Sequence, residues 1–368
     1  MKNTSMGGFG LAVILLLGGC QSTPVGPRAL RSSQNKYNQA LVQNFDEQLL
    51  ANIVRLRYRD NPIFLNVSAI SQKNALTGNG KGTFSKKVFA ASNYEGSLGN
   101  ELGLSSNNES TLTYAQLNGK EFVTKMMTPI QLPIVLSMFE SGWKPERVFN
   151  LCVERVNNLY NAPTASGPTP VFAPEYASFF RFSELLGRLE RNHLIELGED
   201  PDINFSDLFM HIKSKPGFVK EVAEFKSLAG LNPNATMYKL KSDFAGMSSS
   251  KLVMRCKTLL GIFFFLSQGV EVPQADKDAG LVTITQNVDG SEFDWSPIFN
   301  RLLKVQFSEG TARMRPENAY VAYRYRGKWF YIADNDLESK STFMMLSQLF
   351  TLQSAKYNKS DPILVVTN

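Results

Sequence analysis

Ala319-Tyr320-Val321-Ala322-Tyr323-Arg324-Tyr325-Arg326-Gly327-Lys328-Trp329-Phe330-Tyr331-Ile332 is the stretch whose reading decides the fold. Two runs rich in aromatic and β-branched residues flank an Arg-Gly pair, the pattern of a β-hairpin. Asp336 follows as a helix cap for Leu337 to Leu352, and Pro362 to Thr367 reads as one more strand. Strand, strand, helix and strand in that order predict an α+β layer.

Working back along the chain, Glu175 to His193 has the periodicity of an amphipathic helix, and Ser248 to Gly269 reads as a very apolar helix too short to span a bilayer. Between them Phe218 to Leu228 suggests a helix and Met237 to Lys241 a strand. The Pro-rich stretch 161–174 is the best linker candidate. Before it, Asn118 and Glu121 have capping-box spacing for a helix through Met127, and Pro133 starts a second helix that Ser141-Gly142 closes. Pro145 opens a third, with Val148, Cys152, Val156 and Leu159 as its inner stripe.

Ile63 to Ile70, Thr83 to Ser92, Ser97 to Leu104 and Ser110 to Leu117, separated by Gly, Asn and Ser, predict a four-strand antiparallel meander. Its middle strands alternate Phe84, Val88, Ala90, Leu98, Leu102 and Leu104 with Ser85, Lys87, Asn93, Ser97, Gly99 and Glu101. A soluble sheet with one buried face fits this pattern, and membrane-spanning strands share its period. From Gln34 to Arg59, Tyr37, Leu41, Phe45, Leu49 and Ile53 recur every fourth position, an amphipathic helix that Asn61-Pro62 ends. The expected fold is therefore α+β: an N-terminal amphipathic helix, an antiparallel meander and helices in 34–160, a linker at 161–174, and a second α+β region in 175–368 that ends in hairpin, helix and strand.

The first residues give the cellular address. Lys2, the apolar run Phe9 to Leu17 and the small pair Gly18-Gly19 follow the order of a secretory signal, and the run is about half the length of a membrane span. Leu17-Gly18-Gly19-Cys20 resembles the lipobox of bacterial lipoproteins, in which the cysteine is acylated and becomes the mature N-terminus. The resemblance implies a signal peptide over residues 1–19 and a lipid anchor on Cys20. Because Gln21 is not the aspartate that holds such proteins at the inner membrane, it also implies an outer-membrane, periplasm-facing location. Residues 20–33, with Pro24, Gly26 and Pro27, read as an extended tether.

With 43% hydrophobic residues and 26 phenylalanines there is material for a packed core, which excludes disorder of the whole. Cleavage would remove one positive charge, Lys2, from the formal +6 of the whole chain and leave +5, scattered without a basic run. Export separates the chain from nucleic acid, so no nucleic-acid partner is expected. Cys152 and Cys256 remain after Cys20. They could pair in an oxidising compartment, although two separately buried thiols is the favoured reading.

The chain is poor in catalytic groups. His193 and His211 are the only histidines and neither belongs to a metal or triad pattern, with His193 read as a helix-terminal charge partner. Ser33-Gln34-Asn35-Lys36 has Ser-x-x-Lys spacing without the companion Lys-Thr-Gly. Asp334, Asp336 and Glu338 lack the glycine of a calcium loop and suit turns and caps. No catalytic, cofactor-binding or metal-binding residues are assigned, no cofactor is expected, and the chain is read as non-enzymatic.

Two surfaces are candidates for a ligand or partner. Tyr323, Arg324, Tyr325 and Trp329 could stack on a sugar or cradle a peptide, with strand packing the favoured use. Arg55 and Arg59, beside Arg57 in the last turns of the first helix, could grip phosphates, with complementing the helix dipole and pairing with Asp60 or Glu47 favoured. Asn52-Ile53-Val54-Arg55-Leu56-Arg57-Tyr58-Arg59-Asp60 and Trp329-Phe330-Tyr331-Ile332-Ala333-Asp334-Asn335-Asp336-Leu337 are similar to segments of an uncharacterised group of proteobacterial envelope proteins, a resemblance that implies location and no activity. The expected function is an outer-membrane-anchored lipoprotein that serves as a scaffold or accessory subunit of an envelope complex. Its partners would be the bilayer, through acylated Cys20, and envelope proteins, with an oligomer allowed. The alternatives are an oligomeric pore subunit using strands in 83–117, and a periplasmic ligand binder or hydrolase acting on cell-wall material.

Overall fold

Gln48 and Asn52, one turn apart on the first helix, determine how the chain continues after it. Each uses its side-chain amide as a strand would use its backbone. The Asn52 Nδ2 donates to the Ile63 carbonyl (2.9 Å) while its Oδ1 accepts from the Ile63 amide (2.7 Å). Gln48 repeats this two residues on, with the Leu65 carbonyl at 3.1 Å and the Leu65 amide at 2.9 Å. Four backbone groups of an incoming extended segment are thereby satisfied before any sheet partner arrives.

The computed structural model describes residues 27–82, 100–117, 119–199, 208–242, 248–308, 314–354 and 363–367. The signal segment, Cys20 and the strand expected at Thr83 to Ser92 lie outside the described residues. The chain divides into two units, Met1–Glu47 and Gln48–Asn368. Helix α1 is Pro27–Arg57 and starts seven residues before Gln34, so 27–33, expected within an extended tether, are helical. Pro27 suits a first helical position, where its missing amide hydrogen would have had no partner.

Strand β1 is Leu65–Gly82 and β2 is Asn100–Gln116, joined antiparallel by seventeen registered pairs. The expected meander is corrected here. Ile63 to Ile70 is the start of one long strand, and Ser97 to Leu104 and Ser110 to Leu117 fall on a single other. Ser105-Ser106-Asn107-Asn108, read as a turn, lies inside β2 opposite Asn74 to Thr77. Cross-strand pairing satisfies these backbones and overrides the turn preference of Ser and Asn.

Helices α2 (Lys120–Met127), α3 (Leu132–Glu140) and α4 (Pro145–Cys152) follow where expected, although α2 begins after Gly119 without a side-chain cap. The third helix is shorter than its stripe. Val153–Val156 leaves it as β3 and Leu159–Tyr160 returns as β4. Val153 is registered opposite Cys256, and the Asn161 amide donates to the Asn150 (2.8 Å) and Val153 (2.6 Å) carbonyls at the helix end. A sheet contact distant in sequence thus ends a helix that local periodicity would continue.

Next come α5 (Ala177–Glu190), β5 (Ile195–Glu199), β6 (Leu208–Ile212), α6 (Val219–Leu228), β7 (Met237–Lys241) and β8 (Lys251–Cys256). The apolar stretch expected as one helix over 248–269 is split between β8 and α7 (Leu259–Ser267), because the Thr258 hydroxyl accepts from the Gly261 amide (2.9 Å) and starts a new helix there. The six strands form one sheet in the order β4-β3-β8-β7-β6-β5, with only β7 and β8 parallel among them. Strands from both sides of 161–174 belong to this layer, and Asn161, Ala162 and Ala165 within that stretch are buried.

Short helices α8 (Gln274–Asp278) and α9 (Ser296–Phe299) lead to β9 (Gln306–Ser308), β10 (Ala319–Tyr325), β11 (Lys328–Ala333) and α10 (Leu337–Ser354). The hairpin is as expected: Arg326 and Gly327 both have positive φ (48° and 81°), which suits a two-residue turn between twisted strands. Asp336 caps α10 through the Ser339 amide (3.0 Å) and hydroxyl (2.6 Å). Strand β12 (Ile363–Thr367) pairs parallel with β1 rather than joining the hairpin, giving the sheets β12-β1-β2 and β10-β11-β9. The fold is α+β.

Aromatic rings link the elements across a largely aliphatic core. Phe64 meets Phe122, Phe263 and Phe350 at 5.3 to 5.6 Å, which joins the start of β1 to α2, α7 and α10, and Phe182 stacks on Phe225 at 4.4 Å between α5 and α6. Among the described residues no helix is long and apolar enough to cross a membrane.

Candidate functional site

The end of α1 and the β10–β11 turn are more than 260 residues apart in sequence and meet in space. Arg59 takes a positive φ of 58° and reverses the chain, which presents Tyr58 and Asp60 on the same side. The Tyr58 hydroxyl donates to Asp276 Oδ2 (2.7 Å), and Lys328 Nζ donates to Oδ1 of the same carboxylate (3.1 Å). Asp60 accepts from the Tyr325 hydroxyl and from Arg326 Nη2. Rings close the junction: Tyr58 lies 5.4 Å from Tyr325 and 6.1 Å from Phe330, and the Arg326 guanidinium sits over both tyrosines at 5.1 and 5.5 Å. Burial first, and then the Asp276 contact, raises the Tyr58 phenol well above its usual range and keeps it a donor.

Each carboxylate therefore has a phenol and a cation, which fastens a helix end to a hairpin. The segments Asn52 to Asp60 and Trp329 to Leu337 touch here through Tyr58 and Phe330.

The structure sorts the candidate residues. Arg55 Nε donates to the Asn61 carbonyl (2.7 Å) in the loop after the helix, while Arg59 Nε donates to the Thr283 hydroxyl (2.8 Å). Neither takes Glu47 or Asp60, the acids expected for them; Asp60 goes to the hairpin. Tyr325 belongs to the junction. Tyr323 stacks on it (6.1 Å, 23° between planes), Arg324 is exposed, and Trp329 is half-buried opposite Arg324 and Ser308 in the sheet register. Asp276, Gln268 and Thr283 gave no sequence signal because they lie in loops and short elements without periodicity.

Elsewhere Asp334 binds Lys340 (2.6 Å), in keeping with a local turn, whereas Glu338 answers Lys144 (2.8 Å) and the buried Arg147 at α4, a contact between helices rather than the turn or cap expected of it. The Lys144 contact is the main cause that holds Glu338 below the ordinary carboxylate range. His193 follows α5 with a positive φ, and His211 Nδ1 lies 3.6 Å from Glu196. Cys152 and Cys256 are unbonded and buried, and burial raises both thiols, Cys256 to about 12, which makes them inert. Among the described residues no group of three or more His, Cys, Asp or Glu side chains is placed to hold a metal.

Beside the junction, Arg57 and the segments 268–272 and 292–300 line a cavity of about 530 Å³. No known protein family, no curated protein and no solved structure matches this chain.

Proposed function

We propose that the chain is an outer-membrane lipoprotein, anchored through Cys20, that serves as a non-enzymatic accessory or scaffold subunit of an envelope complex. The observation that carries this reading is the β1–β2 ladder. Seventeen registered pairs at about 3.3 Å per residue make a ribbon about 55 Å long, and among the described residues β2 is an edge strand. An edge of that length presents a row of unused backbone donors and acceptors, the template on which a partner strand adds. Gln48 and Asn52 fix the base of the ribbon to α1, so a partner held along β2 would be held to the anchored body.

The same length supports a second reading, a subunit that lends its ribbon to an oligomeric pore, since a membrane strand needs only about 9 to 11 residues.

A photo-crosslinking residue placed at Asn107 or Thr111 in the cellular protein separates the readings. Adducts with a different envelope protein are expected for the accessory subunit. Adducts only between copies, together with conductance in planar bilayers, would replace it with the pore. A chain that yields no adduct at either position would remove both.

A further inference from the structure

We infer that the cavity beside the junction binds a neutral sugar, a pyranose ring laid on Trp295 and Phe293 with its hydroxyls met by a polar rim. The lining carries no net charge, because Arg57, Lys277 and Lys304 are matched by Glu271, Glu292 and Asp294. Lys277 pairs with Glu292 (2.6 Å) and Lys304 with Glu271 (3.2 Å), and Glu292 also acts electrostatically on Arg57. Arg57 is a strut of the wall: its Nη1 joins Gln268 Oε1 (2.9 Å) to the Thr283 carbonyl (3.1 Å), and its Nε is closed off from solvent. A charged ligand of either sign would upset this balance, so the cavity favours a neutral one.

What remains on offer is both halves of a hydrogen bond beside aromatic rings. Phe293, Trp295 and Phe299 form a chain of rings, with centroids 4.8 Å apart for the first pair and 5.8 Å for the second, and the half-buried Phe293 and Trp295 keep part of their surface open. Among the described residues the Trp295 indole N–H and the Asn300 side-chain amide have no partner, and both residues line the cavity. Asp294 spends only Oδ1, on the Ser296 amide (2.9 Å) and hydroxyl, and Glu271 spends only Oε1, on Lys304. Donors and acceptors are thus both available without net charge, which suits hydroxyls that donate and accept at once, while the rings suit the apolar C–H face of a pyranose. Backbone contacts hold the walls in place. The Glu271 amide donates to the Val305 carbonyl (2.9 Å), the Val305 amide to the Gly269 carbonyl (3.0 Å), and the Asn300 amide to the Ser296 carbonyl (3.0 Å). At Gly269 the chains cross so closely that a Cβ would collide with the Leu303 carbonyl and the Phe299 ring. A preformed cavity of this volume suits one small ligand.

The test uses the full mature chain, labelled with ¹⁵N-tryptophan, in a polyoxyethylene detergent, which carries no sugar of its own. Of the three indole signals, those of Trp295 and Trp329 are assigned with Trp295→Phe and Trp329→Phe. The methyl glycosides of glucose, galactose, mannose and N-acetylglucosamine are titrated one at a time. At least one should move the Trp295 signal with saturation and leave that of Trp329, on the hairpin, in place. Cyclohexanol, a ring with a single hydroxyl, and benzoate, an aromatic anion, should not move it. Asn300→Ala, at an exposed position that tolerates change, should weaken binding by about threefold or more. In Trp295→Leu, saturation transfer from protein to the ring protons of the bound glycoside should be lost. The inference would be overturned by no Trp295 shift with any of the four glycosides at tens of millimolar, by equal shifts with cyclohexanol or benzoate, or by movement of Trp329 in its place. Full affinity in Asn300→Ala, or undiminished saturation transfer in Trp295→Leu, would overturn it as well.

Discussion

Lys257 shows how much a single residue can be asked to tolerate. It is fully buried, its ammonium group lies 3.9 Å from the Phe265 ring centroid, and it donates at 3.3 Å to the Asn150 and Val153 carbonyls. Burial lowers its pKa from 10.5 to about 7. Between pH 7 and 10.5 the unfolded chain holds a proton here that the folded chain lacks, so stability rises with pH across that window and the deficit is complete below it. The shift corresponds to roughly 3 to 5 kcal/mol. Since Asn161 already donates to both carbonyls, Lys257→Met orphans neither. In urea titrations the Met variant should be the more stable at pH 7, with an advantage that shrinks by about 1.4 kcal/mol per pH unit toward pH 9. Parallel pH profiles for variant and parent would contradict this. At the junction, Tyr325→Phe and Arg326→Ala remove two partners of one carboxylate. A double-mutant cycle should give a coupling of about 0.5 to 1.5 kcal/mol, and strict additivity would argue against a shared Asp60 contact.

Among elements, the docking of β1 onto α1 depends on two amides. Asn52→Leu keeps the volume of a buried side chain but leaves the Ile63 amide and carbonyl unpaired, so thermal unfolding should report a loss of about 1 to 3 kcal/mol, and Gln48→Leu a smaller one because its contact is exposed. Equal, negligible losses would mean that water replaces the amides. This docking was invisible in the sequence: Gln48 and Asn52 lie outside the apolar positions that marked the first helix. The legible elements were those whose signal is local, such as the Arg326-Gly327 turn, the Asp336 cap and the Pro133 helix. Long-range pairing decided the others, where Val153 opposite Cys256 cut a helix short and β2 ran through a Ser-Asn cluster that reads as a turn.

For the whole molecule, the α+β class followed from the hairpin, helix and strand at the end of the chain, but the partner of the last strand did not, since a parallel pairing with β1 has no local signature. The candidate site was half legible. Tyr325, Arg55 and Arg59 were marked by residue type, whereas the acids and amides that receive them come from loops, and Arg57 emerged only when its burial beside an aromatic cavity was seen.

The central claim is the anchor, because a scaffold role at the outer membrane requires the chain to be held there. Metabolic labelling with a clickable fatty acid, followed by membrane fractionation, compares the parent with Cys20→Ser. The account predicts a labelled parent in the outer-membrane fraction and an unlabelled variant released from it. Label retained on the serine variant, or absent from both chains, would contradict it.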